Sequence, residues 1–129
     1  MHPNETVIRS AVKAFLAGDL DGFLGYLTDD VIVHVPGTNL LSGDYKGKQD
    51  FVDRFVNTVM SLTGGAFGPA IHDVLANDTH ATGIYTFSAT RDGKTLEWQH
   101  VNVYHLTGGK VAEVWWVPGN FEAWNGFWS

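Results

Sequence analysis

Trp98-Gln-His-Val-Asn-Val-Tyr-His-Leu106-Thr-Gly-Gly-Lys110-Val-Ala-Glu-Val-Trp-Trp116 is the stretch whose reading decides the fold. It reads as two strands, Trp98 to Leu106 and Lys110 to Trp116, joined at Thr107-Gly108-Gly109. Side chains alternate across a strand, so Trp98, His100, Asn102, Tyr104 and Leu106 share one face. A face turned to a dry core would carry Val, Ile and Leu. This one carries an indole, an imidazole, a carboxamide and a phenol, the mixture of aromatic wall and convergent polar groups that a small-molecule pocket needs. The turn suits a three-residue loop with Gly109 left-handed. Leu106 then pairs with Lys110 and Asn102 with Val114. That register places Ala112, Val114 and Trp116 on the Asn102 face, and Val111, Glu113, Trp115 and Val117 on the other. A two-residue loop would reverse the faces and put Trp115 inside.

Outward from this hairpin the period of two persists. Thr95 to Leu106 follows Ala81 to Thr90 through Asp92-Gly93, a hairpin signal, and Ile71 to Ala76 precedes it through Asn77-Asp78. Upstream the period is helical. Val7, Ile8, Ala11, Val12, Phe15 and Leu16 form one stripe, stopped at Gly18. Asp19 caps a short helix with the stripe Leu20, Phe23, Leu24 and Leu27. Val31 to Val35 is a strand ended by Pro36-Gly37, and a loop runs through Asn39, Gly43 and Gly47. Phe51, Val52, Phe55, Val56, Val59 and Met60 mark a third helix, closed by Gly64-Gly65. After Pro118-Gly119, Phe121 to Trp128 is an aromatic tail with helical character. Helices followed by a run of antiparallel strands make an α+β domain, with helices on one face of a curved sheet. A sheet bent into a cone lets the helices close its mouth around a cavity.

At 129 residues the chain is read as a single domain, 1–129, with a core of useful size. All five Trp fall from residue 98 onward, which points an aromatic site to the C-terminal half. A net charge of −6 argues against nucleic acid or an anionic membrane as partner. No apolar run approaches the ~20 residues of a membrane span. Met1 to Thr6 lacks a basic region followed by an apolar run, so no secretion signal is read there. The absence of Cys removes thiolate chemistry and is compatible with a cytoplasmic location. His and carboxylate spacing suggests no metal site, and no cofactor motif is present.

Four segments carry a resemblance. Ala17-Gly-Asp-Leu-Asp-Gly22, Leu27-Thr-Asp-Asp-Val31, His34-Val-Pro-Gly37 with Gly43-x-Tyr-x-Gly47, and Tyr104-x-x-x-Gly-Gly-Lys-Val111 resemble the nuclear transport factor 2-like superfamily. The nearest branch is the SnoaL-like, ketosteroid-isomerase-related one. The resemblance spans essentially the whole chain. It implies a cone-shaped, mostly antiparallel sheet packed on three N-terminal helices, the cystatin-like α+β barrel. That scaffold hosts isomerases, cyclases, dehydratases, epoxide hydrolases and non-catalytic proteins, so fold alone does not name a reaction. Carried over residue by residue, the isomerase base falls on Val35, its helix-borne Tyr falls near Ala11, and its protonated Asp falls on Asn102. Only Asn102 keeps a hydrogen-bond donor. The polyketide-cyclase His and acid fall on Val114 and Trp116, which cannot move protons.

The residues that remain set out two readings. In the first, the protein is a cofactor-independent enzyme performing isomerisation, cyclisation or dehydration on an apolar ligand. His100 moves the proton, Asn102 and Tyr85 hold an oxygen, and Trp98, Tyr104, Trp116, Phe87 and Val35 line the site. The bland counterpart of each is a hydrogen-bonded core residue. In the second, the same cone is a non-catalytic binding or dimeric scaffold, since Val35 and Trp116 supply no base or acid. Hydrolysis through an Asp-Arg-Asp network ranks last, because Arg9, Arg54 and Arg91 do not fall at pocket-facing strand positions. His34, pointing away from Val35, is read as structural, capping the Pro36-Gly37 turn. His72, His80 and His105 are read as solvated. Val101, Val103, Val111, Trp115 and Val117 make the outer sheet face too apolar for water, and the resemblance makes it a homodimer interface.

Overall fold

Alternation of buried and exposed residues along each strand builds the sheet, and the computed structural model describes it across all of residues 1–129. α1 (Pro3–Leu16) and α2 (Leu20–Leu24) precede β1 (Leu27–Val35) and β2 (Gly43–Lys46). A continuous helical stretch follows: α3 (Lys48–Asp50), a π-helical segment (Phe51–Val56) and α4 (Asn57–Thr63). β3 (Phe67–Ala76), β4 (His80–Arg91), β5 (Lys94–Thr107) and β6 (Lys110–Pro118) complete the sheet, and α5 (Phe121–Phe127) ends the chain. The six strands run in the order β2-β1-β6-β5-β4-β3. Only β1 and β6 are parallel; every other pair is antiparallel.

Local chemistry explains the element ends. Pro3 opens α1 where its missing N–H costs nothing, and His2 Nδ1 accepts from Asn4 N at 3.0 Å. Asp19 caps α2, its carboxylate accepting from Gly22 N at 2.9 Å. Gly64, at φ 61°, ends α4 in the left-handed cap that glycine favours. Asp92 and Gly93, at φ 52° and 74°, give the β4–β5 hairpin its two-residue turn. Asp50 accepts from Lys46 N at 2.8 Å and from Arg54, which holds its carboxyl down at about 2.

Several expectations change. The third helix carries a π-helical segment, and the loop through Gly43 contains β2, paired with β1 at Val33↔Tyr45. Leu27 starts β1 instead of completing the α2 stripe, and Leu20 is exposed. The β5–β6 turn is a two-residue loop, Gly108-Gly109 at φ 58° and 76°, with Thr107 opposite Lys110 and Leu106 opposite Val111. A bulge then inserts Ala112, so His105 faces Glu113, Tyr104 faces Val114 and Asn102 faces Trp116. The extra residue restores the inward facing of Val114 and Trp116, while Val111 turns inward with them. Val111 is fully buried, so it leaves the outer apolar face.

The core lies between the concave sheet face and the helices. Ile8, Ala11 and Val12 of α1 and Phe55 and Val59 of the π-α4 stretch pack onto Val33, Tyr85, Phe87, Val114 and Trp116. α5 and the residue after it close one end with Trp124 and Trp128, both fully buried, and Arg91 fastens this end through the carbonyls of Phe127 and Ser129 at 2.8 and 3.0 Å. Each buried aromatic contributes roughly 1.5–3 kcal/mol of transfer free energy. No helix is long and apolar enough to cross a membrane.

Candidate functional site

Between the sheet and the helices the packing stops short of filling the cone and leaves a cavity of about 100 Å³. α1 supplies Ile8, Ala11, Val12 and Phe15 to its wall, and the π-helical segment supplies Phe51 and Phe55. Residues four apart on a helix are neighbours on one face. The two rings accordingly stack at 5.1 Å. Phe15, Phe23, Phe67 and Pro69 are only half-buried and mark the mouth. An apolar cavity of ~150 Å³ admits a benzene ring; the present space is smaller, so one small ring reaching into the mouth is its upper limit.

The sheet supplies Tyr85, Phe87, Asn102, Tyr104 and Trp116, five of the residues read from the sequence as site residues. The other three stand behind the wall. Val35 is in the core beside β2, and Trp98 stacks on Phe87 with ring centres 5.3 Å apart. His100, only 1% exposed, is wedged between Phe87 and Trp116, 4.6 Å from each. Asn102 and the two tyrosine hydroxyls are thus the polar groups of the wall.

Those groups end a hydrogen-bonded ladder along one face of β5. Trp98 Nε1 donates to His100 Nδ1 at 3.0 Å. His100 Nε2 meets Asn102 Oδ1 at 2.7 Å, Asn102 Nδ2 donates to the Tyr104 hydroxyl at 3.1 Å, and that hydroxyl meets the Tyr85 hydroxyl at 2.7 Å. Burial pushes the His100 imidazole down to about 4, outweighing the raising effect of Asn102, so the ring is neutral at pH 7. Burial also pushes the Tyr85 hydroxyl far above the ordinary phenol range, helped by the neighbouring Tyr104. It raises Tyr104 too, against the opposing bonds from Tyr85 and Asn102. Both phenols therefore stay protonated and act as hydrogen-bond partners.

Gly83 makes room for this arrangement. A Cβ at that position would overlap the ring and hydroxyl of Tyr85, which folds back along β4 over the bare backbone. A glycine inside a strand is the sequence signal for such a close approach, and it went unread. The α1 and Phe51/Phe55 wall residues were visible in the sequence only as apolar stripes, the same pattern that ordinary core residues give.

His34 lies on the opposite sheet face. Its Nδ1 meets Asp44 at 2.7 Å and its Nε2 meets Glu113 at 2.6 Å, while its ring stacks on Trp115 at 5.7 Å. It ties β1 to β2 and β6 and does not cap the Pro36-Gly37 turn. Partial burial lowers its pKa, but the bonds to Glu113 and Asp44 prevail and raise it. No group of three or more His, Asp or Glu side chains is arranged to hold a metal ion.

Residues 8–114 match the family model described as a SnoaL-like domain. The uncharacterized protein Rv0034 of Mycobacterium tuberculosis is 27% identical over 124 residues, which cover 95% of this chain and 94% of that protein. Bal32a, from a soil-derived mobile gene cassette, superposes with a TM-score of 0.92 at 27% identity, covering 98% of this chain and 97% of its own. TerC, co-crystallized with polyporic acid, superposes with a TM-score of 0.85 at 20% identity over 97% of each chain.

Proposed function

The chain belongs to the SnoaL-like domain family, and from that premise we propose that it binds a small, mostly apolar molecule inside the cone, holding it by a single oxygen. One observation carries this reading: in a cavity otherwise walled by hydrocarbon and aromatic surface, the polar groups sit together at one spot. The two phenols hold two O–H hydrogens and the bond between them uses one, so a hydroxyl hydrogen is left for a ligand. Asn102 likewise spends one amide hydrogen on Tyr104 and keeps the other. Two donors beside one another suit a carbonyl oxygen. Binding is favoured over proton transfer because the titratable groups on the wall are Tyr85 and Tyr104, which hold their protons. The imidazole of His100 stands behind the wall with its one lone pair engaged by Trp98.

A second reading, isomerisation, cyclisation or dehydration, draws on the same two donors, which would stabilise an enolate as well as a ketone. Acetophenone separates the two, with ¹H–¹⁵N spectra recorded in H₂O and methyl exchange followed in D₂O. On the binding reading, it perturbs the Asn102 amide and Trp116 indole signals in ¹H–¹⁵N spectra, and its methyl protons exchange no faster than in buffer. Accelerated exchange establishes proton transfer instead. Perturbations confined to residues outside the cavity refute both.

A homodimer through the outer sheet face is part of the same proposal. Val117 there is 51% exposed, and Val101, Val103 and Trp115 remain partly so. Sedimentation at micromolar concentration, with Val117→Lys as the disrupting variant, tests it.

A further inference from the structure

The direction of the β5 ladder is fixed from outside the cavity. An indole nitrogen can donate but cannot accept. The bond from Trp98 Nε1 therefore makes His100 Nδ1 the acceptor and leaves the proton of the neutral ring on Nε2. Nε2–H must donate to Asn102 Oδ1, which turns the Asn102 amide nitrogen toward Tyr104. Each group down to Tyr104 accepts from one neighbour and donates to the next; the Tyr104–Tyr85 bond can run either way, and in both cases one hydroxyl hydrogen of the pair is left over. That hydrogen, which sits on Tyr85 when Tyr104 donates onward in the same cooperative sense, is the end of the chain and faces whatever fills the cavity.

Resting on the reading of the cavity as a ligand site, we infer that Trp98 and His100 are positioning residues that turn its hydrogen-bond donors toward the cavity, making it selective for ligands whose oxygen carries no hydrogen. Aldehydes, ketones and enolate or phenolate anions meet that description. An alcohol of equal size can accept from the free phenol hydrogen, but its own O–H finds only the second lone pairs of oxygens that already accept a bond in the ladder, or the Phe and Val walls. An unmatched buried donor of this kind costs about tenfold or more in affinity. Neither positioning residue touches the cavity, so the selectivity originates in the second layer of side chains.

Titrations of the full chain with toluene, benzaldehyde and benzyl alcohol, followed by ¹H–¹⁵N spectra, test this. Benzaldehyde is expected to bind about tenfold tighter than benzyl alcohol, and tighter than toluene, which reads the apolar walls alone. Trp98→Phe removes the fixing donor. His100 can then take the other tautomer, Asn102 can turn over, and the aldehyde preference should shrink to within about twofold, both affinities being referred to toluene in the same variant. Equal affinities for aldehyde and alcohol in the unmodified protein overturn the inference while leaving the pocket standing. Failure of all three probes to bind overturns the ligand reading itself. Should Trp98→Phe not fold, the imidazole ¹⁵N signals of His100 in the unmodified protein decide. A proton on Nε2 and a bare Nδ1 at neutral pH support the inference; a proton on Nδ1 or an imidazolium overturns it.

Discussion

Lowering the pH from 7 to 4.5 places the ladder under a load that His100 alone should report. In the unfolded chain its imidazole takes a proton near 6.5; in the fold, burial holds that event down to about 4. Between those values the unfolded state binds one more proton than the native state, so stability falls as the pH falls. The contribution is fully present above 6.5 and shrinks until the native ring also protonates near 4. With these two values, about 2.5 kcal/mol is lost on reaching pH 4.5, and about half of that by pH 5.5. Equilibrium urea unfolding at pH 7, 5.5 and 4.5 measures it, provided the unmodified protein is compared with His100→Gln. Carboxylates titrate in both proteins and cancel in the difference of slopes. So does His34, whose raised pKa works in the opposite sense, giving stability at low pH that is lost as pH rises through its folded value. Parallel slopes in the two proteins would mean that His100 ionises normally in the fold. A ladder in which Trp98 donates to its Nδ1 would then be wrong.

Asn102→Leu leaves His100 Nε2–H without a partner and takes from the Tyr104 hydroxyl its amide donor, and thermal and urea unfolding should show a loss of about 2–4 kcal/mol. Gly83→Ala drives a methyl group into the Tyr85 ring. It should break the Tyr85–Tyr104 bond and abolish benzaldehyde binding while far-UV circular dichroism keeps the sheet signal. Glu113→Gln removes one of the two carboxylates that hold His34 charged. The His34 titration followed by NMR should move down from its raised position toward 6.5 or below, narrowing the pH range in which the imidazolium stabilises the fold.

The reach of the sequence is visible in the β5–β6 hairpin. Alternation correctly assigned Trp98, His100, Asn102 and Tyr104 to one face of β5, because side-chain facing within a strand has a period of two whatever the pairing; the placing of Val114 and Trp116 on that face rested on the loop. Loop length was misread, since Gly108-Gly109 serves both a three-residue loop and the two-residue loop that forms. The shorter loop alone would have put Trp115 inside. The bulge at Ala112 reversed that, and nothing in Val111-Ala-Glu-Val114 announces a bulge. β2 was missed for a different reason: Gly43-Asp-Tyr-Lys46 has only Tyr45 as a strand former, and its pairing with β1 supplies the rest.

His100 shows where a facing pattern stops being a site map. Residues two apart on a strand lie roughly 6.8 Å apart, a gap that indole, imidazole, carboxamide and phenol can each bridge toward the next. Four such residues in succession satisfy one another without help from other strands, and Tyr85 alone joins from β4. A self-satisfying row is stable when buried, so its members need not reach a ligand, and those under Phe87 and Trp116 do not. Only the end of the row keeps a hydrogen to share. The chemistry of the cavity therefore belongs to Tyr85, Asn102 and Tyr104. His100, the most reactive side chain by type, serves by remaining neutral and fixed.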